Sequence, residues 1–266
     1  PFGAGIPDKT RDLVTLIRLN DYDMVEALLR NHGDDLAAIL LEPIIGNAGS
    51  IAATQEWLQF LRDRCTQNGT MLILDEVKTG FRVAPGGAQQ LYGIHADLTT
   101  YAKAMGNGYP VAAFGGRAEV MDCVGAFKGG VVHGGTYTAN LIALSGASAT
   151  LDVLANTNAY ETINTAGANI RDCLGRVFTA AGIEHCFAGP PAMFGIHFLD
   201  KVPTNYRDWR ITDSELYAKF AWKLIDYGIM LEPDSREPWF ICEAHKDVDL
   251  AWLEETATRA MREAKG

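Results

Sequence analysis

The chain has 266 residues, 48% of them hydrophobic, and a formal net charge of -10 at pH 7. The length suits one large domain with a smaller one beside it, and the acidic balance argues against nucleic acids and anionic membrane surfaces as partners, because both repel a negative protein. No apolar run reaches the ~20 residues needed to cross a bilayer, and the first residues lack the basic and apolar regions of a signal peptide.

Two short apolar segments, residues 36–42 (LAAILLE) and 71–76 (MLILDE), are bounded by turn-forming residues and predict parallel strands. The segment between them, 53–69, has apolar residues at helical spacing and stops at Asn68-Gly69, which predicts a helix. Strand, helix and strand with short connections form a βαβ unit, whose strands are parallel and whose crossover is right-handed.

The next segments extend this unit. Residues 97–102 and 110–116 are strand-like and are expected to continue the sheet. Residues 138–157 are rich in small residues and free of proline, so we expect a long buried helix there.

Beyond about Asn156 helical stretches alternate with short strands, a pattern that suits a smaller α+β domain beside the α/β domain. The helices are expected at 160–181, 213–227 and 248–264, and the strands at 193–199 and 238–244. We therefore predict two domains: residues 1–156 as part of a large domain and residues 157–266 as a small C-terminal domain.

Five cysteines are widely spaced and include no C-x-x-C pair. A disulfide framework or a zinc site is therefore not expected, and no His/Cys/Asp cluster has the spacing of metal ligands. We expect no metal site and a reducing, cytoplasmic location.

Three charged residues follow the predicted strands: Glu42, Asp75 and Lys103. Ligands of open α/β sheets bind outside the carboxyl ends of the parallel strands, so these positions would place two acids and an amine along one rim. For any one of them a charge facing solvent is the commoner outcome. All three together, each followed by a glycine-containing loop, favour a ligand site.

The surrounding motifs carry a family resemblance. They are EPIIGNAG (42–49), LILDEVKTGFRVAPGGAQ (72–89), DLTTYAKAMGNGYPVAAFGGR (97–117) and HGGTYTAN (133–140). These segments closely resemble the class III (fold type I) pyridoxal-phosphate aminotransferases, and the nearest branch is similar to glutamate-1-semialdehyde 2,1-aminomutase. The resemblance implies an α/β fold: a type I large domain with a mixed, mostly parallel sheet and flanking helices, plus a smaller C-terminal α+β domain. It also implies pyridoxal 5'-phosphate as the cofactor.

The resemblance assigns the central roles. Lys103 would form the Schiff base with the cofactor and shuttle a proton at the substrate carbon. Asp75 would keep the pyridine nitrogen protonated. Val77, two residues on along an extended segment, would pack on one ring face, although an ordinary core valine is the plainer alternative. We expect Glu76 to be structural, paired with a nearby arginine, and Lys78 to lie at the surface.

The phosphate would be bound by Gly135 and Thr136, just before the long helix. In the family the threonine that matches Thr136 reaches the phosphate of the neighbouring subunit, which implies a homodimer with shared active sites. A helix N-cap by Thr136 or Thr138 remains a simpler alternative.

The substrate side is expected to include Glu237, Arg236 and Asn47. Glu237 matches a glutamate that approaches the active site in aminomutases, in a looser resemblance at EPWFICEAH. Arg236 beside it would bind a substrate carboxylate, although a lone exposed arginine is the commoner outcome. Asn47 stands where many ω-amino-acid transaminases carry an acid. Arg82 helps to place the branch but receives no role.

The lead interpretation is a transaminase that exchanges an amino group between an amine or amino acid and a keto acid or aldehyde in ping-pong fashion. The first alternative is an intramolecular aminomutase of the glutamate-1-semialdehyde type, although GNGYPVAA and GGTYTAN depart from its usual motifs. The second is an inactive fragment or scaffold, because no Ser/Gly/Thr phosphate cup precedes EPIIGNAG. We expect the chain, which begins at Pro1, to be the C-terminal portion of a longer enzyme, with an N-terminal fragment of that enzyme as a partner.

Overall fold

A computed structural model describes residues 4–125 and 130–266 of the chain. Its α-helices are α1 (Asp8–Arg11), α2 (Tyr22–His32), α3 (Gln55–Asn68), α4 (Gly87–Tyr92), α5 (Ala118–Met121), α6 (Leu141–Asn156), α7 (Ala159–Ala180), α8 (Tyr206–Trp209), α9 (Ser214–Asp226) and α10 (Leu250–Lys265). Its strands are β1 (Ala38–Leu41), β2 (Ile44–Ile45), β3 (Ile51–Ala52), β4 (Met71–Asp75), β5 (Leu98–Tyr101), β6 (Ala113–Gly116), β7 (Cys186–Ala188), β8 (Met193–His197) and β9 (Trp239–Phe240). Short 3-10 helices occupy Gly33–Asp35, Lys103–Gly106 and Glu243–Asp247.

The first half of the chain forms a four-stranded sheet in the order β1-β4-β5-β6. β1 pairs with β4 and β4 with β5 in parallel, whereas β6 runs antiparallel to β5. The helix α3 connects β1 to β4, after the small antiparallel hairpin of β2 and β3. The predicted βαβ unit and mostly parallel sheet are therefore confirmed, and the hairpin, which is only two residue pairs long, is an addition to the predicted elements.

Capping residues define both ends of the crossover helix α3. Thr54 caps the N-terminus by accepting a hydrogen bond from the amide of Trp57, and Gly69 ends the helix in a left-handed conformation with φ of 72°. The buried face consists of Trp57, Leu58 and residues one and two turns further on. It packs with β1 and β4 residues in one hydrophobic cluster, in which each large side chain contributes about 1.5–3 kcal/mol.

The C-terminal part has its own antiparallel sheet in the order β7-β8-β9, packed with α7, α9 and α10 around a second buried cluster. Every residue of β8 is buried. The strand predicted over 238–244 is wrong beyond Phe240, because a 3-10 helix follows and His245 Nδ1 accepts the Cys242 amide hydrogen that a longer strand would use. The boundary between 156 and 157 stays a prediction.

The long helix α6 has the predicted position but not the predicted environment. Only Ala143 and Ala147 are buried, whereas Leu141 is 80% exposed and Ile142 70% exposed. The helix is apolar around most of its circumference, and the described residues cover only one narrow face of it. The N-cap is Asn140, whose side chain accepts hydrogen bonds from two amides, so the alternative of a cap by Thr136 or Thr138 is wrong.

Among the described residues, no helix combines the length and apolar character required to cross a membrane.

Candidate active site

The parallel sheet places three charged residues at one edge. Asp75 is the last residue of β4, Glu42 comes one position after β1, and Lys103 two positions after β5. These strands are parallel neighbours, so their carboxyl ends meet at the same edge. Burial and the charge of Asp75 raise the pKa of Glu42. A hydrogen bond from the Gly46 amide and the ammonium groups of nearby lysines, including Lys103, lower it, but the net shift is upward. The structure therefore brings the three strand ends together.

The carboxylate of Asp75 is held in one orientation. Its Oδ1 accepts hydrogen bonds from the amide of Val77 at 3.0 Å and from the hydroxyl of Thr100 at 3.2 Å. Within the described residues, the other oxygen, Oδ2, takes no hydrogen bond. A fixed carboxylate with one oxygen available fits the partner of a protonated ring nitrogen.

Val77 does not continue an extended segment. The chain turns directly after Asp75, and the amide of Gly80 donates to the carbonyl of Glu76 at 2.8 Å. The predicted extended segment through Val77 is therefore wrong, because the strand ends at Asp75. Its half-buried side chain still follows the rim residue Asp75, so its contact with a ring face stays a prediction.

Lys103 begins a 3-10 helix with a left-handed backbone, at φ of 45°. This conformation is uncommon for a residue other than glycine and costs of order 1–3 kcal/mol, which the surrounding structure must offset. Such residues cluster at functional sites. The side chain is exposed at the rim, so it is accessible to a cofactor or substrate.

Glu76 is fully buried and structural. Its Oε2 accepts hydrogen bonds from the hydroxyl of Thr79 at 3.0 Å and the amide of Ala88 at 2.6 Å, and its Oε1 accepts from the amide of Gln89 at 3.1 Å. These bonds fasten the start of α4 to the end of β4. The structural expectation agrees with this position, but the expected arginine partner is wrong, because amides and a hydroxyl satisfy the carboxylate.

Lys78 is buried, so its predicted surface position is wrong. Its Nζ donates to the carbonyl of Gly46 at 2.9 Å, to Oδ1 of Asn47 at 2.7 Å and to Oε2 of Glu237 at 2.7 Å. The lysine stem lies against Gly46, where an added Cβ would be 2.0 Å from the Lys78 Cδ. The glycine at position 46 thus makes room for Lys78, although the sequence around Lys78 does not predict that the lysine is buried.

The three candidate substrate residues already have partners within the chain. Asn47 and Glu237 both bind Lys78, and Arg236 forms a forked ion pair with Asp234. The alternative of a lone arginine at 236 is therefore wrong. The carbonyl of Arg236 also accepts a 2.7 Å hydrogen bond from the amide of Gly49, which joins this segment to the loop after β2.

Arg82, to which the sequence assigns no role, contacts the end of β9. Its guanidinium lies 4.8 Å from the centre of the Phe240 ring and donates to the carbonyl of Ile241 at 3.2 Å. Burial lowers the pKa of Arg82. The residue therefore connects the turn after β4 to the end of β9.

Gly135 and Thr136 lie in an exposed loop that precedes α6. Within this loop the amide of Thr138 donates to the carbonyl of Gly135 at 3.0 Å. The hydrogen bonds and ion pairs of the described residues do not connect the loop to Asp75 or Lys103, so its phosphate role stays a prediction.

A groove of about 1120 Å³ borders the rim without containing it. It is lined by Ala104, Asn107 and Tyr109, which follow Lys103, and by residues of α6, α7 and 241–244. Lys103 and Asp75 are not among its lining residues, so we identify the candidate site by the charged rim rather than by cavity size.

The family profile described as aminotransferase class-III matches residues 11–247. The chain belongs to this family. It is 37% identical over 250 residues to the glutamate-1-semialdehyde 2,1-aminomutase of Akkermansia muciniphila, covering 94% of the chain and 58% of that relative. It is 36% identical to the protein of the same name from Persephonella marina, covering 98% of the chain and 60% of the relative. The chain thus spans about three fifths of the length of these two relatives.

Two solved structures share the fold of this chain. An omega-transaminase from Sphaerobacter thermophilus superposes with a TM-score of 0.91 at 29% identity, covering 100% of the chain and 61% of that structure. The FumI protein of Sphingopyxis sp. MTA144, in its PLP internal aldimine form, gives 0.85 at 26% identity, covering 98% and 60%. The expected family and the fold type I architecture are both confirmed.

Proposed function

We propose that the protein containing this chain is a pyridoxal-phosphate enzyme that moves an amino group between an amine or amino acid and a keto acid or aldehyde, in ping-pong fashion. The observation that carries this proposal is the rim, where Asp75 has one carboxylate oxygen fixed and Lys103 is exposed at the end of a neighbouring parallel strand. An acid and an amine on adjacent strand ends are the two groups that this chemistry requires.

The cofactor, when bound, supplies a carbonyl carbon and a ring that draws electrons from the substrate. Asp75 keeps the proton on the ring nitrogen, because a carboxylate beside a protonated nitrogen stabilises its charge. Lys103 would hold the cofactor through its amine and would carry a proton to or from the amine-bearing carbon of the substrate. Val77 would contact one face of the ring, and Gly135 with Thr136 would bind the phosphate.

The relatives support two versions of this reaction. The transaminase version is supported by solved structures that include an omega-transaminase at 29% identity. The aminomutase version is supported by curated relatives that carry that name at 36% and 37% identity. A scaffold without a complete cofactor site is the third candidate, because the hydrogen bonds and ion pairs of the described residues do not connect the Gly135–Thr136 loop to the rim.

A homodimer is part of the proposal. The exposed apolar residues of α6, among them Leu141, Ile142, Leu144 and Val153, form a surface that a second copy could cover. A dimer would also bring the Gly135–Thr136 loop of one subunit toward the rim of another, which the family resemblance implies. Sedimentation of the purified protein tests this, and a monomer at micromolar concentration would contradict it.

The reaction type is tested by substrate requirement. The purified protein, supplied with pyridoxal phosphate, is offered an amine donor with and without a separate keto acid. Turnover only with both supports the transaminase, whereas complete conversion of an amino-aldehyde alone supports the aminomutase. Absence of visible cofactor absorbance in the natural-length protein would support the scaffold instead.

A further inference from the structure

The ammonium group of Lys78 is saturated by the chain itself. An ammonium has three N–H donors, and those of Lys78 have three acceptors, in Gly46, Asn47 and Glu237, all within 2.9 Å. The side chain of Lys78 is 9% exposed, whereas that of Glu237 is 34% exposed. The lysine is therefore a buried centre, and its carboxylate partner faces the more open side.

The acceptors come from two distant parts of the chain. Asn47 lies in the loop between β2 and β3, and Glu237, which is 159 positions from Lys78, precedes β9 in the C-terminal part. The same two parts are joined by the Gly49 amide to the Arg236 carbonyl. Lys78 therefore lies on the seam between the sheet that carries the rim and the C-terminal part.

The seam is adjacent to the candidate active site. Glu42, at the end of β1, experiences the charges of both Lys78 and Lys103 as well as that of Asp75. Its Oε2 would lie 3.1 Å from a Cβ on Gly46, the residue against which the Lys78 stem packs. A change in the Lys78 contacts would therefore affect residues that border the candidate site, namely Gly46 and Glu42.

We propose that Lys78 is a positioning residue for the proposed reaction, on which this inference rests. Its ammonium bonds to both Asn47 and Glu237, and we call this pair of hydrogen bonds the tie. The tie holds the 46–49 loop against the 234–237 segment, and together these two segments form a wall beside the rim. Neither Asp75 nor Lys103 is bonded to the tie, so the wall determines how the substrate binds while the cofactor site stays assembled. Asn47 and Glu237 act on substrate binding through Lys78.

Three variants of the natural-length protein, loaded with pyridoxal phosphate, separate the contributions: Lys78→Met, Glu237→Gln and the double variant. We expect Lys78→Met to retain the visible cofactor absorbance, to raise KM for the amine substrate by about tenfold and to change kcat by less than about threefold. The KM of the double variant should be no higher than that of the poorer single variant, because each single variant already breaks the same tie. A coupling of about tenfold between the two substitutions corresponds to about 1.4 kcal/mol.

A matched control removes an exposed ion pair in the same part of the chain. Lys246 pairs with Glu243 on the surface, and both side chains are about half exposed. Lys246→Met should leave KM and kcat unchanged. Hydrogen exchange measured without substrate gives a readout independent of turnover: amides of 234–237 should exchange about tenfold faster in Lys78→Met and unchanged in Lys246→Met.

Distinct results would overturn the inference and the proposed function. An unchanged KM in Lys78→Met, with only a lowered melting temperature, would show that Lys78 serves stability alone and would overturn the positioning role. Purely additive effects of the two single variants would also overturn it. Absence of cofactor absorbance in the unmodified protein would overturn the proposed function, while hydrogen exchange would still decide the tie. If Lys78→Met fails to fold, Lys78→Gln, which keeps two donors without the charge, replaces it.

Discussion

Two adjacent carboxylates, Asp75 and Glu76, should give opposite results when each is converted to its amide. In Glu76→Gln the new side chain keeps one acceptor oxygen, which can retain the bonds from Thr79 and the Ala88 amide. Its NH₂ group then faces the Gln89 amide, which donated to the carboxylate at 3.1 Å. Two donors cannot bond to each other, so a buried N–H loses its partner.

The magnitude follows from these contacts. Leaving a buried donor unsatisfied costs about 1–3 kcal/mol, and the remaining bonds weaken when the acceptor loses its charge. We therefore expect Glu76→Gln to lower the free energy of unfolding by about 2–4 kcal/mol. In Asp75→Asn, by contrast, the retained oxygen still accepts from Val77 and Thr100, so the loss should be below about 1 kcal/mol.

Urea unfolding of the cofactor-free protein, followed by circular dichroism, measures both values. A second assay follows amino-group transfer, which Asp75→Asn should reduce by about a hundredfold or more, because a neutral amide does not hold the proton on the ring nitrogen. A loss below about 1 kcal/mol for Glu76→Gln would refute the role of Glu76 as the anchor of α4. Unimpaired amino-group transfer in Asp75→Asn would refute the assignment of Asp75 to the ring nitrogen and of Glu76 to a structural role.

Three further changes test the framework around the site. Gly87→Ala should destabilise the fold by about 2–4 kcal/mol in urea unfolding, because the glycine has φ of 66° and an added Cβ would lie 2.0 Å from Oε2 of Glu76. Asp97→Asn should remove an acid-dependent part of the stability: burial opposes the charged form, but hydrogen bonds from the Leu72 amide and two guanidinium groups outweigh it and lower the pKa of Asp97 below 3.8. That contribution is complete above pH 3.8, the ordinary value, and is lost as the pH falls through the lowered one. His197→Gln should remove a second pH dependence: burial lowers the pKa of His197, despite its hydrogen bond to the Gly49 carbonyl, so stability is complete above pH 6.5 and declines as the pH falls from there toward the lowered value.

Each of these has a contradicting outcome. Gly93→Ala serves as a control for Gly87→Ala, because Gly93 has a similar φ of 67° but an added Cβ there would have no atom of the described residues within 4 Å. Equal losses in the two variants would show that backbone strain alone, rather than contact with Glu76, sets the cost. Unfolding free energies measured from pH 3 to 8 would contradict the other two predictions if the pH profiles of the variants matched that of the unmodified protein.

The sequence predicts most of the sheet because the signals involved are local. The β1–α3–β4 unit is defined by short apolar runs, a periodic helix and a glycine stop, and all of these lie within 38 consecutive residues, 38–75. The rim follows from the same pattern, since Glu42 and Asp75 stand immediately at the ends of parallel strands. Family motifs then supply the choice of Lys103.

The features that sequence reasoning missed depend on contacts between distant residues. The burial of Lys78 requires the absence of a side chain at Gly46 and an acid at position 237, and neither is visible in the neighbourhood of the lysine. The turn at Val77 is a local exception, closed by a hydrogen bond from the Gly80 amide to the Glu76 carbonyl. The exposure of α6 was missed for the opposite reason: its apolar composition indicates burial, but the described residues supply no partner for most of its surface.

The central claim is that Lys103 carries the cofactor, and borohydride reduction followed by peptide mass spectrometry tests it most directly. Reduction makes the bond between the lysine and pyridoxal phosphate permanent, so the modified peptide can be identified. We expect the added mass on Lys103 and its loss in Lys103→Ala. Added mass on Lys78, or a natural-length protein with no modified lysine, would contradict it.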